Sequence, residues 1–545
     1  MPEQYDFVVI GGGSAGCVVA SRLSEMPDCS VLLLEAGPGD RNLFIRMPLA
    51  YRLLRNSERY DWGLATEPEP YANKRSIPAA RGKVLGGSSS VNGMMYSRGH
   101  PRDYDHWAQL GATGWSHDDV LPFFRKSEAN WRGASEWHGG DGPMAVSKLD
   151  DGSVLTHALW DTARALGYPV SDDFEGGLHE GFGLPDLTTR NGRRESASSA
   201  YLAPARSRKN LTVITSARVT RLETQAGRVI CVHYLKNGQP HTANVEQEAV
   251  LCGGTYASPH LLMLSGIGPA DHLRKHGIEP VLDLPGVGQN LQEHPLVGSA
   301  FRAKRDLGVN RQLRADRLAW SVLAWVLTGK GLPASFPLSA IIYHKSSTDL
   351  DRPDLETVVM PTSLDARVWA PGIVSAKEEM LTIFNIVLNP DSRGEVTLKS
   401  ADPLAKPGIR FNILQAQSDV DRLKFNVRWF RDLIKTSPLS NFVDTEVAPG
   451  SGVQSDADLE RYIRSRVATV QHPIGTCRMG PTYSRSVVDP KLKVYGLENL
   501  RVADASVMPA LIGGHTNAPS IMIGERAAQF IRDEYEPGGQ PRAPR

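Results

Sequence analysis

The chain has 545 residues, a net charge of +1, 41% hydrophobic residues and 22% charged residues. That length allows a large core and more than one domain, the balance is that of a globular protein, and the lack of a basic block argues against nucleic acid as the main partner. Five scattered cysteines without a CxxC pair speak against a disulfide framework or a metal site and fit a reducing cytoplasm.

Taken in order, residues 5–10 (YDFVVI) read as a buried parallel strand, with no apolar leader expected before it. Gly11-x-Gly13-x-x-Gly16 follows, then a helix over 14–25 and a strand over 30–34 ending on Glu35, nineteen residues after Gly16. The first glycine permits a tight turn, the second lets backbone approach a pyrophosphate, and the third lets helix and strand pack closely. The pyrophosphate then sits at the positive end of the helix, and Glu35 accepts hydrogen bonds from ribose hydroxyls. This pattern predicts a dinucleotide site and leaves NAD and FAD open. The 81–93 stretch (RGKVLGGSSSVNG) is a donor-rich loop suited to a phosphate or a flat polar ring.

Residues 98–145 read as a loop-rich excursion with short helices. A helix is expected over 153–166, consecutive strands over 210–215, 217–223 and 228–235, and a buried strand over 249–252 running into a second glycine turn and helix. From about 300 to 470 the character changes. Strands over 381–388 and 395–399 suggest an antiparallel sheet, flanked by helices over 313–328 and 418–435. The 313–327 stretch is too short for a membrane span and carries Arg314, Asp316 and Arg317, so an amphipathic helix is expected there and no transmembrane segment anywhere. A return strand over 499–504 and a closing helix over 520–532 bring the chain back to its first domain.

Several motifs together resemble one family. Gly82-Lys83-x-Leu85-Gly86-Gly87-Ser88-Ser89-x-Val91-Asn92-x-x-x-Tyr96 resembles the first signature of the glucose–methanol–choline (GMC) flavoprotein oxidoreductases. Gly254-Thr255-x-x-Ser258-Pro259-x-Leu261-Leu262-x-x-Ser265-Gly266-Ile267-Gly268 is similar to the second. Ser392-Arg393-Gly394, His472-Pro473-x-Gly475-Thr476-Cys477-x-Met479-Gly480 and Asn517-Ala518-Pro519 also look like family motifs, and the likeness runs from Tyr5 to about Ile531. Within the family the chain resembles bacterial choline dehydrogenase-like alcohol dehydrogenases.

The resemblance implies an α/β fold: a doubly wound, Rossmann-like FAD-binding domain with an inserted α+β substrate domain built on a six-stranded antiparallel sheet. The implied division is 1–150, 210–299 and 481–533 for the FAD domain, 151–209 and 300–480 for the substrate domain, and 534–545 for a tail. It implies that Gly11, Gly13, Ser14, Ala15, Gly16, Glu35 and Ala36 hold the ADP part of FAD, with Val219 near the adenine. Arg81, Leu85, Gly86, Ser88, Asn92 and Gly93 would lie near pyrophosphate and flavin. Asp504, Ala505, Thr516, Asn517 and Pro519 would complete the site, Asp504 at the phosphate–ribityl region. Some relatives tether FAD through a histidine before the motif asparagine; here that residue is Val91, so non-covalent FAD is expected.

The resemblance also points to His472 as base and His515 as its partner. Flavin-dependent alcohol oxidation sends the hydroxyl proton to a base and the carbinol hydride to flavin N5, and a neutral histidine suits the first task because its ordinary pKa is about 6.5. In the subgroup the second position is often Asn, so His515 departs toward the sugar and aryl-alcohol oxidases. The expected activity is oxidation of a primary or secondary alcohol to aldehyde or ketone. The alternatives are a hydroxynitrile lyase-like non-redox flavoprotein, an oxygen-using aryl-alcohol oxidase, an NAD dehydrogenase, or a flavin-binding protein without catalysis. Trp320, Trp325, Phe336, Leu338 and Trp369, read as lining the entrance, suggest an apolar or aromatic alcohol. The electron acceptor is dioxygen or a quinone-type molecule. The expected location is cytoplasmic, with peripheral association at the inner membrane as the variant.

Overall fold

The structure is a computed structural model describing residues 3–54, 57–149 and 153–535; the part of the expected tail from residue 536 on lies outside the described residues. It is a mixed α/β fold organised by two large sheets. In the first, strands run in the order Leu211–Ile214, Val31–Leu34, Glu3–Ile10, Gln239–Leu251, Arg228–Lys236, Ala217–Gln225, and Leu500–Val502 pairs with the end of Gln239–Leu251. Five strands pair parallel, Leu211–Ile214, Val31–Leu34, Glu3–Ile10, Gln239–Leu251 and Leu500–Val502, and Gln239–Leu251 also begins an antiparallel meander with Arg228–Lys236 and Ala217–Gln225.

Register decides where a ligand can go. Ile10 lies opposite both Leu34 and Leu251, and Leu251 lies opposite Val502. Four strands therefore end level, and the turns that follow them, at Gly11, Glu35, Cys252 and Ala503, share one edge. In an open parallel sheet that carboxyl edge is where ligands bind. Beneath it the strands are almost entirely apolar, as Phe7 to Ile10 and Val31 to Leu34 show, because helices cover them.

The first helix, Ser14–Leu23, stops two residues before the expected end. The closing helix spans Asn517–Tyr535 and starts earlier than 520. Pro519 is no obstacle there, because first-turn N–H groups have no helical partner to lose. The two helices cross closely: a Cβ on Gly524 would meet Ala15 O at 2.9 Å and Val18 Cβ at 2.9 Å. The 98–145 excursion holds two helices, Pro101–Gln109 and His117–Ser127, each started by a capping box on His100 or Ser116.

The second sheet is antiparallel, in the order Val443–Ala448, Pro295–Ala303, Met380–Val387, Leu355–Met360, Ala340–His344, Gly181–Gly183. The two-residue strand Ala468–Thr469 pairs with the start of Pro295–Ala303, making a seventh. Helix Gln417–Leu433 packs across it through Val420, Leu423, Val427 and Phe430. The strand expected over 395–399 forms Glu395–Thr397 instead and pairs with Gly408–Arg410 in a separate ribbon. The helix expected over 313–328 spans Ala315–Thr328, but its outward face is apolar, against the amphipathic expectation: its charges are confined to the first turn.

Candidate active site

The first half of the site is the glycine turn after strand Glu3–Ile10. Gly11 has φ +103°, and a Cβ there would meet Cys252 O at 2.5 Å. A Cβ on Gly16 would meet Gly11 O at 1.9 Å. Gly13 differs, with nothing nearer than Cys252 O at 3.9 Å, so its open side is free for a ligand. Gly87, from the 81–93 loop, closes over it: a Cβ on Gly87 would meet Gly13 Cα at 2.7 Å.

Helix Ser14–Leu23 begins with no side-chain cap, unlike the helices that Ser116, Ser153 and Ser455 cap, and with no acid in its first turn, unlike those of Ser116 and Ser455. Ser14 Oγ donates to Asn517 Oδ1 at 2.8 Å, so the starts of the first and closing helices meet here. Two positive helix ends facing one spot make an anion site. Glu35 stands beside it, accepting from Gly12 N at 2.8 Å and Gly37 N at 2.7 Å. Burial pushes its carboxyl up to about 7, against the pull of those two N–H groups and Lys83.

The remaining candidates fall into two groups. Ser88 and Asn92 are on the closing loop, where Ser88 Oγ accepts from Gly82 N at 3.2 Å and Asn92 Oδ1 accepts from Arg194 Nη1 at 2.7 Å. Val219 lies on the meander opposite Tyr234. Asp504 is buried and engaged by protein: its carboxylate accepts from Gly254 N, Ser258 Oγ and Ser506 N at 2.6–2.8 Å. It fastens the second glycine turn to the return strand. Arg81 reaches away from the glycine turn and donates to Gln471 O at 2.5 Å, next to His472.

The second half of the site is a histidine cluster. The rings of His472 and His515 lie 4.8 Å apart at 75°, and those of His472 and His294 lie 5.3 Å apart at 86°. His294 Nδ1 is 3.2 Å from His472 Nδ1, and His294 Nε2 is 3.1 Å from Ile512 O. A carbonyl only accepts, so His294 carries its proton on Nε2 and offers a lone pair at Nδ1. His472 then donates from Nδ1, leaving its Nε2 with a free lone pair. Burial holds His294 down at about 4, so it is neutral at pH 7 and this pattern persists. His472 keeps part of its surface accessible, yet the surrounding protein, with His515, His294 and Arg81, holds its pKa well below the usual 6.5.

The motifs point to His472 and His515 and give His294, Glu293, Glu356 and Arg194 no catalytic role. Glu293 Oε1 accepts from the backbone N–H of both His294 (3.0 Å) and His472 (2.8 Å), clamping two segments that are 178 residues apart. Glu356, from the middle of the second sheet, puts Oε1 3.4 Å from His515 Nε2 without hydrogen-bond alignment. Arg194 is buried on neutral oxygens of Ile45, Ser89 and Asn92, and burial lowers its pKa to about 9. A charged residue within a buried strand was the available signal for Glu356; for Glu293 and His294, adjacency in a glycine-rich loop concealed their roles. Of the apolar residues expected at an entrance, Phe336 and Leu338 do pack with Met94 beside the closing loop. Trp325 is buried against Met47 and Ala50, and Trp320 points to solvent.

Comparison with known proteins identifies the family. Residues 5–296 match the N-terminal GMC oxidoreductase model and residues 390–524 the C-terminal one. The chain belongs to the GMC oxidoreductase family. It is 38% identical over 558 aligned positions to an oxygen-dependent choline dehydrogenase of Brucella suis biovar 1, covering 99% of both chains, and 38% identical over 548 positions to one of Rhizobium etli. Among solved structures it is similar to pyridoxine 4-oxidase from Mesorbium loti (TM-score 0.86, 31% identity, 96% and 98% of the two chains). It is also similar to formate oxidase from Aspergillus oryzae RIB40 (TM-score 0.91, 29% identity, 98% and 99%). FAD is therefore the cofactor, and the enzyme is an FAD-dependent oxidoreductase of CH–OH donors. The residues fit that group: the uncapped helix start, the open side of Gly13 and the buried Glu35 supply what a pyrophosphate and a ribose need.

Proposed function

We propose that this GMC oxidoreductase oxidises an apolar or aromatic primary or secondary alcohol to the aldehyde or ketone, with His472 as the base. FAD, held non-covalently at the glycine turn by Gly11, Gly13, Ser14, Ala15, Gly16, Glu35 and Ala36, supplies the hydride acceptor at flavin N5. His472 Nε2 takes the hydroxyl proton. It is available because His294 holds the other nitrogen protonated, and it is neutral at pH 7 because burial and neighbouring cationic or basic groups oppose its charge. His515 Nε2 has no hydrogen-bond partner in the protein, lies 3.4 Å from Glu356 Oε1, and donates to the alcohol oxygen. The remaining candidate cofactor contacts are Arg81, Leu85, Gly86, Ser88, Asn92, Gly93, Val219, Asp504, Ala505, Thr516, Asn517 and Pro519, of which Arg81 and Asp504 act through other protein groups, Arg81 on Gln471 O and Asp504 on the second glycine turn.

The observation that carries this reading is the His294–His472 contact, which leaves one basic nitrogen open. The apolar preference rests on Phe336, Leu338 and Met94 at the closing loop. A second substrate reading is a cationic alcohol such as the choline named for the relatives, favoured by Glu356, whose buried Oε1 has no hydrogen-bond partner. The deciding experiment is an alcohol panel including benzyl alcohol, a long-chain alkanol and choline, followed anaerobically by flavin bleaching. Bleaching by an apolar alcohol supports the proposal, bleaching by choline alone selects the second reading, and no bleaching with cleavage of a hydroxynitrile would identify a lyase. Peroxide release against dye reduction then separates dioxygen from a quinone-type acceptor.

A further inference from the structure

The helix Ala315–Thr328 has two apolar stripes. Leu318, Val322 and Trp325 face the protein, Trp325 fully buried and donating through Nε1 to Gly192 O at 2.8 Å. Trp320, Leu323, Ala324 and Leu327 follow at helical spacing and face outward, Trp320 72% and Leu327 74% exposed. Ordinary surface helices put polar residues there.

Two further segments extend this surface. The 361–374 loop joins the helix through Ala315 N to Trp369 O at 2.8 Å and exposes 84% of Ile373. The short helix Tyr51–Leu54 joins the loop through Arg52 Nη2 to Leu364 O at 2.6 Å and exposes 69% of Leu53. An apolar surface this extended marks an interaction site.

Charge selects the partner. Segments 41–54, 311–330 and 361–374 hold eight Arg or Lys against two Asp, in a chain whose totals are 61 basic and 60 acidic residues. One of the two, Asp316, is already paired with Arg314 at 2.6 Å. A second copy packed on this face about a twofold axis would set these basic residues against one another. An anionic bilayer offers acyl chains for the apolar stripe and phosphates for the basic rim, the arrangement of a helix lying in the membrane interface. Exposed Trp belongs at that depth. Among the described residues no helix is long and apolar enough to cross a membrane.

We propose that this face docks the enzyme on an anionic phospholipid surface, with the outer stripe of Ala315–Thr328 inserted among the headgroups. The docked face adjoins the site: Tyr51 packs on Phe336 with ring centroids 4.9 Å apart, and Phe336 lies 3.4 Å from where a Cβ on Gly93 would be.

The test is co-sedimentation of FAD-loaded enzyme with vesicles of phosphatidylcholine alone or mixed with phosphatidylglycerol, without substrate, so the result does not depend on which alcohol is oxidised. The mixed vesicles should bind at least about tenfold more tightly at low salt, and added salt should reverse the difference. Trp320→Asp with Leu327→Asp, and separately Arg317→Glu, should each lose about tenfold or more in binding while flavin content and dye-coupled turnover stay at wild-type level. Equal binding of wild type and variants, or none by either, overturns the proposal. So does sedimentation velocity in which Trp320→Asp/Leu327→Asp converts a dimer to a monomer without a change in vesicle binding.

Discussion

The glycine turn and the histidine cluster solve different problems. The turn is mostly local: Gly11 to Glu35 spans one strand–helix–strand unit, and apart from Asn517 of the closing helix, which accepts from Ser14, its contacts are made by backbone or by a residue of that unit or its covering loop. The cluster is global: His294 heads a strand of the second sheet, His472 follows the two-residue strand paired with it, Glu356 lies mid-sheet, and His515 precedes the closing helix. A local site tolerates damage elsewhere and fails by losing its ligand. A global site should keep its ligand and fail in chemistry.

The sharpest break of that contrast is His472→Ala. Removing a general base costs about 10²–10⁴-fold in rate, so anaerobic flavin reduction should slow by that factor with flavin content unchanged. His294→Leu comes next. It removes the acceptor that keeps the His472 proton on Nδ1, and the penalty for a base in the wrong tautomer reaches about 10⁴-fold. The loss should be smaller here, because Glu293 still clamps the His472 backbone. It should fall on the reduction rate while flavin content stays at the wild-type level. An unchanged rate would show that His294 only packs.

Glu35→Ala probes the other region. Each lost hydrogen bond to a charged group is worth ~1.5–3 kcal/mol, roughly ten- to a hundredfold in FAD affinity, with turnover per bound flavin preserved. The same carboxylate predicts a pH effect. Its pKa without cofactor is about 7. Ribose hydroxyls favour the ionised form, so binding FAD releases a proton and affinity should rise as pH increases through about 7, then level off. Titration across that range should show the rise in wild type and none in Glu35→Gln. The smallest effect is expected for His515→Asn, which keeps a donor to the alcohol oxygen and should reduce flavin faster than His515→Ala; equal rates would show that the imidazole itself is required.

The same contrast explains what was legible in the sequence. Strand, glycines, helix and acid occur in a fixed local order, so Glu3–Ile10, Val31–Leu34 and Glu35 are placed from spacing alone, whereas the parallel pairing of Leu211–Ile214 beside Val31–Leu34 is not. His472 and His515 are legible only through motifs, because no periodicity brings residues 294, 356, 472 and 515 together: pairing of Ala468–Thr469 with Pro295–Leu296 brings 472 to 294, the register of Leu296, Ile386 and Glu356 across the sheet adds 356, and the contact of His294 with Ile512 O brings in the segment of 515. The helix Ala315–Thr328 was placed correctly but given a polar face it lacks, since Arg314, Asp316 and Arg317 crowd its start and leave its last three turns apolar. Trp320 and Trp325 are five residues apart, which puts one outward and one in the core, a division that composition does not reveal.

The most direct test of the central claim is the pH dependence of anaerobic flavin reduction at saturating alcohol, in wild type and His472→Ala. Because the His472 pKa lies well below 6.5, its base form is complete at neutral pH. The wild-type rate should be flat from about pH 7 upward and fall only in acid, below about 6.5, and His472→Ala should be slow throughout with that acid limb gone. A wild-type rate in His472→Ala, or an acid limb that survives the substitution, would place the base on another residue.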